Sequence, residues 1–280
     1  MKKCFTPKRI LIGGSLSLIL GLIIYIFADN YAAYTTQKFR TMQDPVSTTQ
    51  QINLTGLREL LASGGSAPLF RELKDQLNHV SQNIIIFDAR NQPHGYVKGI
   101  PSKFFCYHRD PSLRHLQRRL IYTGTIENRP ELFSTEKEEA QKYGFEYIKI
   151  SIGSRYTTPD ENVDEFVNFF DTLPEKTWVH FHCDRGMGRT SMALVMLDIL
   201  KNAPTVSLQD IISRQHLLGS EDLFDVSVWE GGSYSADMLQ NRKKFIEQFY
   251  NFVCQRKMGG VQRWSDWQKA PEGKMRNSNV

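Results

Sequence analysis

The stretch that decides the fold runs from His182 to Ser191 and reads HCDRGMGRTS. Before it, WVHFH, Trp178 to His182, has the character of a short buried strand. After it, TSMALVMLDIL, Thr190 to Leu200, is apolar on nearly every side, as a buried helix is. A strand that passes through a glycine-bearing loop into a buried helix is a unit of layered α/β domains. The same unit has a chemistry. The first N–H groups of a helix lack intrahelical partners, and the positive end of the helix dipole adds to them, so the loop and helix start form an anion cradle. Gly186 and Gly188 allow a turn tight enough to aim several N–H groups of Asp184, Arg185, Gly186, Met187 and Gly188 inward. Arg189 adds a planar fork for two phosphate oxygens. Cys183 lies on the floor of this cradle, where a thiolate is aligned for in-line attack on phosphorus and a phosphocysteine intermediate. Thr190 is placed to donate a hydrogen bond to the sulfur as it leaves in the second step.

Cysteine and arginine six positions apart are a weak signal alone. At that spacing Cys4 meets Ile10, Cys106 meets Ser112 and Cys254 meets Gly260; only Cys183 meets an arginine. His182, both glycines, Thr190 and the strand–loop–helix setting make the signal specific.

Working outward, IIIF (Ile84 to Phe87), RLIYTG and FEYIKI read as strands, the first closed by the turn-rich DARNQPHG. Thr135 to Gly144 reads as a short helix. Val163, Phe166, Val167 and Phe170 mark another, and LQDIISRQHLLG and ADMLQNRKKFIEQFYNFV two more. The segment from Asn53 to Val80 shows two helical patterns around the Gly64–Gly65 break: Leu54, Leu57, Leu60 and Leu61, then Leu69, Phe70, Leu73 and Leu77. Asn53 or Thr55 reads as a helix cap. No internal repeat is visible. The chain has 280 residues, 40% hydrophobic and 23% charged, which suits a globular domain with a sizeable core. A net charge of +5 favours anionic partners without pointing to nucleic acid.

Lys2, Lys3, Lys8 and Arg9 precede nineteen uncharged residues, Ile10 to Ala28. At 1.5 Å per residue that run suffices for a bilayer core of about 30 Å. It reads as a retained membrane anchor or a cleaved signal, with the cations in the cytosol and the remainder in the cell envelope or outside. The expected organisation is an anchor or signal over 1–29, a polar linker over 30–51, a domain over 52–257, and a basic mobile tail over 258–280 that contains Trp264 and Trp267. The four cysteines are too few for a disulfide scaffold. Cys106 and Cys254 are either a pair or two buried thiols.

HCDRGMGRTS resembles the phosphate loop of the cysteine-dependent protein tyrosine phosphatase superfamily. The flanking ASGGSAPLFRELKDQL, IIIFDARNQPHGYVKGIP, DENVDEFVNFFDTLPEKTWVHFHCDRGMGRT, IISRQHLLGSEDL and RKKFIEQFYNFV are similar to bacterial phytase-like members, over roughly Asn53 to Val253. The resemblance implies an α/β fold, a central sheet flanked by helices with a small added domain. It implies hydrolysis of phosphomonoesters, inositol polyphosphates or phosphotyrosine, without metal or cofactor. It carries over Cys183 as nucleophile, Arg189 as phosphate binder and Asp184 to Gly188 as the cradle. Arg90 and the Arg242–Lys243–Lys244 cluster fall where the family keeps cationic substrate contacts; a solvated helix face is the other reading of the cluster. In one respect the chain departs from the family. In ISIGSRYTTPDENVDEF, Ser154 stands where the family's general-acid aspartate belongs. Asp160 is a candidate substitute, though an acid at a helix start also serves the dipole, and Asp184 is another. Arg155 is a candidate substrate contact. Without an acid, alkyl leaving groups depart slowly relative to aryl ones. Two readings follow: a phosphatase acting on an anionic phosphorylated substrate, or a phosphate-binding module with little or no turnover.

Overall fold

The structure is a computed structural model that describes residues 14–24, 38–49, 51–92, 94–97, 99–103, 131, 133–228 and 234–270. Its centre is strand β8, Thr177–His182, buried along its whole length. Side chains alternate across a strand. Accordingly Val179 and Phe181 enter a larger core on one face, and Trp178 enters a smaller core on the other. Strands β2 (Ala62–Gly65) and β3 (Asn83–Asp88) flank β8 in parallel, and β7 (Glu146–Lys149) lies beyond β3, also in parallel. The two-residue strand β1 (Arg40–Thr41) closes the other edge antiparallel to β2. The order is β1-β2-β8-β3-β7. In register, Gly65 and Asp88 both stand opposite His182, and Lys149 stands opposite Asp88. Four parallel strands therefore end together, and the loops that leave them meet at one edge of the sheet, where open α/β sheets place their sites. A second sheet, β4 (His94–Val97), β5 (Ile100–Lys103) and β6 (Phe133–Ser134), is antiparallel and lies in the order β5-β4-β6.

Helices cover both faces. A helix over 14–24 (α1) precedes the sheet. Helices α2 (Phe70–Gln76) and α3 (Glu136–Lys142) pack on the smaller core, with Phe70, Leu73, Ala140, Ile86 and Trp178 in contact. Helices α4 (Asp160–Thr172), α5 (Gly188–Asn202), α6 (Leu208–Leu217), α7 (Ala236–Lys257) and α8 (Trp264–Lys269) build the larger core. The expected α/β layering with a central sheet between helices is the fold observed.

Five expectations need correction. Ala62–Gly65 is a buried strand, where the sequence reads as a glycine break. Its small residues are what helix α5 requires: a Cβ on Gly64 would stand 2.8 Å from both Leu194 Cδ1 and Thr190 Cγ2. Leu54 to Leu61 form turns rather than a helix, because Gly56 takes φ +74° and its position abuts the Asn202 side chain. Asn53 Oδ1 accepts from Thr55 N as a local turn, so neither residue caps a helix. The supposed linker is structured from residue 38: Arg40, Thr41 and Met42 are buried. The supposed mobile tail contains α8, whose Trp264 and Trp267 stack on each other and pack on Phe252. Cys106, RLIYTG and most of the N-terminal segment lie outside the described residues. Among the described residues, no helix is long and apolar enough to cross a membrane.

Candidate functional site

Cys183 directly follows β8 and is 3% exposed. The loop then turns at Gly186, with φ +70°, and becomes helical at Gly188. A Cβ on Gly186 would lie 2.5 Å from Gly65 C and Ser66 N, so glycine lets the loop pass against the end of β2. Gly188 has a different reason. A Cβ there would stand 2.5 Å from Tyr234 Oη and 3.1 Å from Ser154 Cβ. Asp184 accepts from Ala67 N, Ser191 N donates to Met187 O at 2.8 Å, Arg185 is exposed and Met187 half-buried. Arg189 leaves the loop half-buried, and its Nη1 donates to Gln92 Oε1 at 2.7 Å and Asn91 Oδ1 at 3.3 Å. The turn after β3 thereby fixes the arginine fork beside the loop. The hydroxyl of Thr190 donates to Gly65 O at 3.3 Å. That bond ties α5 to β2, where the sequence reading gave the hydroxyl to the sulfur.

A residue that sequence reasoning missed supports the loop from beneath. Arg40 of β1 is buried and donates to Gly186 O at 3.0 Å, to Ser191 Oγ and Ser220 Oγ at 3.2 Å, and to Lys38 O at 3.0 Å. Burial pushes its guanidinium down to about 10, against the pull of Cys183 and Glu221. A lone arginine in a polar segment carries no sequence signal for such a place.

Behind the loop, on the side of the smaller core, lies a buried charge cluster. Arg90 pairs with Asp88 at 2.9 Å and with Glu136. This corrects the expectation that Arg90 contacts substrate: it is 2% exposed, and both partners are carboxylates of the interior. His94 Nδ1 donates to Gln92 O at 2.6 Å, while its Nε2 faces Glu136 at 2.6 Å and Asp88 at 3.0 Å. Burial opposes charge on His94, but the two carboxylates outweigh it and raise the imidazole above its ordinary value. Burial likewise opposes charge on Asp88 and Glu136, and Arg90 above all holds both below the usual carboxylate range. Two anions meet two cations, and the set is balanced. Asp88, His94 and Glu136 come close enough together to hold a metal ion, but the Arg90 guanidinium already bonds to both carboxylates. Tyr147 donates to Asp88 and Tyr96 to Glu136. His182 adjoins the cluster, its Nε2 3.3 Å from Glu136 Oε1, and burial lowers its affinity for a proton.

The segment that follows β7 reaches the start of α5 at Ser154. Gly153 N donates to Thr158 Oγ1, Ser151 Oγ to Arg90 O, and Asn162 Nδ2 to Ser151 O. Ser154 is half-buried beside Gly188, and Tyr234 Oη donates to its Oγ at 3.0 Å. Asp160 goes elsewhere: its Oδ1 accepts from Trp264 Nε1 at 2.7 Å, which makes it a tether for α8 as well as an acid in the first turn of α4. Arg155 is exposed and lies over the Tyr234 ring, its Cζ 5.7 Å from the centroid. The Arg242–Lys243–Lys244 cluster is not one solvated face. Arg242 is buried and pairs with Glu221 at 2.7 Å, Lys243 lies over the Phe224 ring, and Lys244 is exposed.

A family model for PTP-like phytases, described by the words inositol hexakisphosphate, matches residues 117–201. The chain is similar to the tandemly repeated protein tyrosine phosphatase like phytase from Mitsuokella multacida, with 26% identity and a TM-score of 0.69 over 84% of this chain and 47% of that one. It shares the fold of the PTP-like myo-inositol phosphatase from the same organism, solved with myo-inositol-(1,3,4,5)-tetrakisphosphate. Identity there is 24% and the TM-score 0.68, over 86% of this chain and 46% of that one. It is also 29% identical to effector protein hopD2 of Pseudomonas syringae pv. tomato over 137 residues, which are 48% of this chain and 28% of that protein. The chain thus spans about a quarter of that relative and about half of the Mitsuokella proteins. Together with the parallel sheet whose edge carries the Cys183–Arg189 loop, these likenesses make the chain a phytase-like member of the protein tyrosine phosphatase superfamily.

Proposed function

We propose that the protein is a phosphatase that hydrolyses phosphomonoesters through a phosphocysteine on Cys183, with inositol polyphosphates as the favoured substrate class and phosphotyrosine as the other. The observation that carries this reading is the loop itself. A buried cysteine ends a central strand, a glycine turn and a helix start follow, and an arginine is steadied through Nη1 by Asn91 and Gln92. In this reading the N–H groups from Asp184 to Gly188 hold the phosphate, and Nε and Nη2 of Arg189 complete its binding. Cys183 attacks phosphorus as the alcohol departs, and water then cleaves the thiophosphate. Arg155, which lies over the Tyr234 ring beside Gly188, and Lys243, which lies over the Phe224 ring, are proposed as further substrate contacts. The tetrakisphosphate bound to the Mitsuokella relative supports an anionic, multiply phosphorylated ligand. The four cations before the uncharged N-terminal run, together with the likeness to an effector protein, support a place in the cell envelope or outside the cell. A topology reporter fused after Gln51 that is active only in the cytosol would refute that placement.

The test is hydrolysis of p-nitrophenyl phosphate and inositol hexakisphosphate by the chain and its Cys183→Ser variant. Turnover is expected to vanish in the variant while phosphate-ester binding persists, because the cradle's donors remain. A serine variant as fast as the native chain removes the cysteine mechanism. Binding without turnover in the native chain establishes a phosphate-binding module instead. Arg189→Lys is expected to lose most of the activity, since a point charge does not reproduce a two-pronged contact.

A further inference from the structure

Tyr234 and Ser154 meet at the start of α5. A Cβ on Gly188 would stand 2.5 Å from Tyr234 Oη and 3.2 Å from Ser154 Oγ, so both hydroxyls lie against the phosphate loop. They are bonded to each other, with the phenol donating to the serine at 3.0 Å. A hydroxyl both donates and accepts, so Ser154 Oγ can take a proton from the phenol and give one onward. The tyrosine ring is flanked by two guanidinium groups, Arg242 at 5.4 Å and Arg155 at 5.7 Å from its centroid. Arg242 is buried and held by Glu221, so its charge is fixed in place. The serine's loop is equally fixed, through Gly153, Ser151 and Asn162, and a Cβ at Gly153 would collide with Tyr156 O at 2.0 Å. Asp160, the next acid along the chain from Ser154, is committed to Trp264.

We propose that Ser154 and Tyr234 form the proton-donating pair of this site, with Ser154 touching the leaving oxygen and Tyr234 as the proton source behind it. The proposal rests on the phosphocysteine reading. In the first step the Cys183 thiolate forms an S–P bond as the P–O bond of the ester breaks. The departing oxygen takes the Ser154 proton, Ser154 takes the Tyr234 proton, and the alcohol leaves a tyrosinate whose charge the two guanidinium groups offset. In the second step water attacks phosphorus, and the S–P bond breaks to restore the thiolate. The proton of the water returns through Ser154 to the tyrosinate, and phosphate departs. A phenol is a far weaker acid than a carboxyl group but a stronger one than an alcohol, so it serves alkyl leaving groups that could not otherwise depart. Gly188 is glycine because the pair occupies the space a side chain would need.

The experiment uses the full chain as native protein, Tyr234→Phe, Ser154→Ala and Cys183→Ser, plus Tyr234→Phe combined with Ser154→Asp. Each is measured on inositol hexakisphosphate, whose leaving group needs a proton, and on p-nitrophenyl phosphate, whose leaving group does not. Tyr234→Phe and Ser154→Ala are expected to lower kcat/KM for the inositol ester by about 10² or more, and to change the aryl ester only a few-fold. Ser154→Asp in the Tyr234→Phe background is expected to recover the inositol ester selectively, which repair of a packing defect would not do. Equal losses on both esters, or no loss on the inositol ester, overturn the pair while a Cys183-dependent aryl activity leaves the phosphatase reading standing. So does a native chain that cleaves the aryl ester and not the inositol one. Activity that survives Cys183→Ser overturns the reading and the pair together.

Discussion

At the scale of the residue, the two glycines of the loop look alike in sequence and differ in cause. Gly186 needs a positive φ and passage against Gly65, whereas Gly188 needs room for Tyr234 and Ser154. Gly188→Ala should therefore keep the loop's backbone but displace the phenol. Overpacking of this kind costs about 1–3 kcal/mol, to be read as a lower urea midpoint together with a loss of activity. Arg40 is the second residue whose value is set by contacts remote in sequence. Arg40→Met fills similar space but strips Gly186 O of its buried donor, which costs about 1–3 kcal/mol. The urea midpoint and the affinity for inorganic phosphate should fall together, because the deleted bond holds the phosphate loop. A variant that lost stability with phosphate affinity intact would show that Arg40 only supports the β1 edge.

At the scale of the element, α8 shows how a short polar-looking segment gains a fixed place. Helices of this length are marginal alone. This one is held because Trp264 and Trp267 bury their rings against Phe245, Phe249 and Phe252, and because the two indole N–H groups reach Asp160 and Gln255. Trp264→Ala should cost about 3–5 kcal/mol, measured by thermal or urea unfolding. The loss should exceed that of Asp160→Asn, which keeps an acceptor for the indole. The sequence shows two tryptophans among glycines and charges, a pattern with no period. What it does not show is the groove between α4 and α7 that receives them.

At the scale of the whole molecule, histidines set the response to pH. His180 and His182 are buried, and desolvation holds both below the ordinary imidazole value. Below a pH of about 6.5 the unfolded chain protonates them and the folded chain does not, so stability falls with falling pH by up to about 1.4 kcal/mol per pH unit for each. His94 acts with the opposite sign. Its affinity for the proton is raised in the fold, so its contribution is fully present below the unfolded value and is lost as pH rises through the folded value. The urea midpoint measured from pH 5.5 to 8.5 should pass through a maximum. His94→Gln should flatten the alkaline side and leave the acid side sloping.

The sequence alone determined the strand–loop–helix unit and most of the helices with a clear apolar period, and it singled out Cys183 and Arg189 as the chemical pair we propose. These rest on local physics: a strand's alternation, a helix's stripe, a glycine turn. It also exposed Ser154 as a departure, since an acid's absence is visible at one position. Only the tertiary structure decided that Ala62–Gly65 is a strand, because its small residues answer to α5 rather than to any period of their own. Likewise it alone drew Arg40 beneath the loop and Tyr234 against Ser154, across 146 and 80 residues of chain. It withdrew Arg90 into an interior ion cluster, since whether an arginine meets substrate or carboxylates depends on which elements pack around it. Such long-range contacts leave no periodic trace in the chain, and they exist only once the parallel strands bring their ends to one edge.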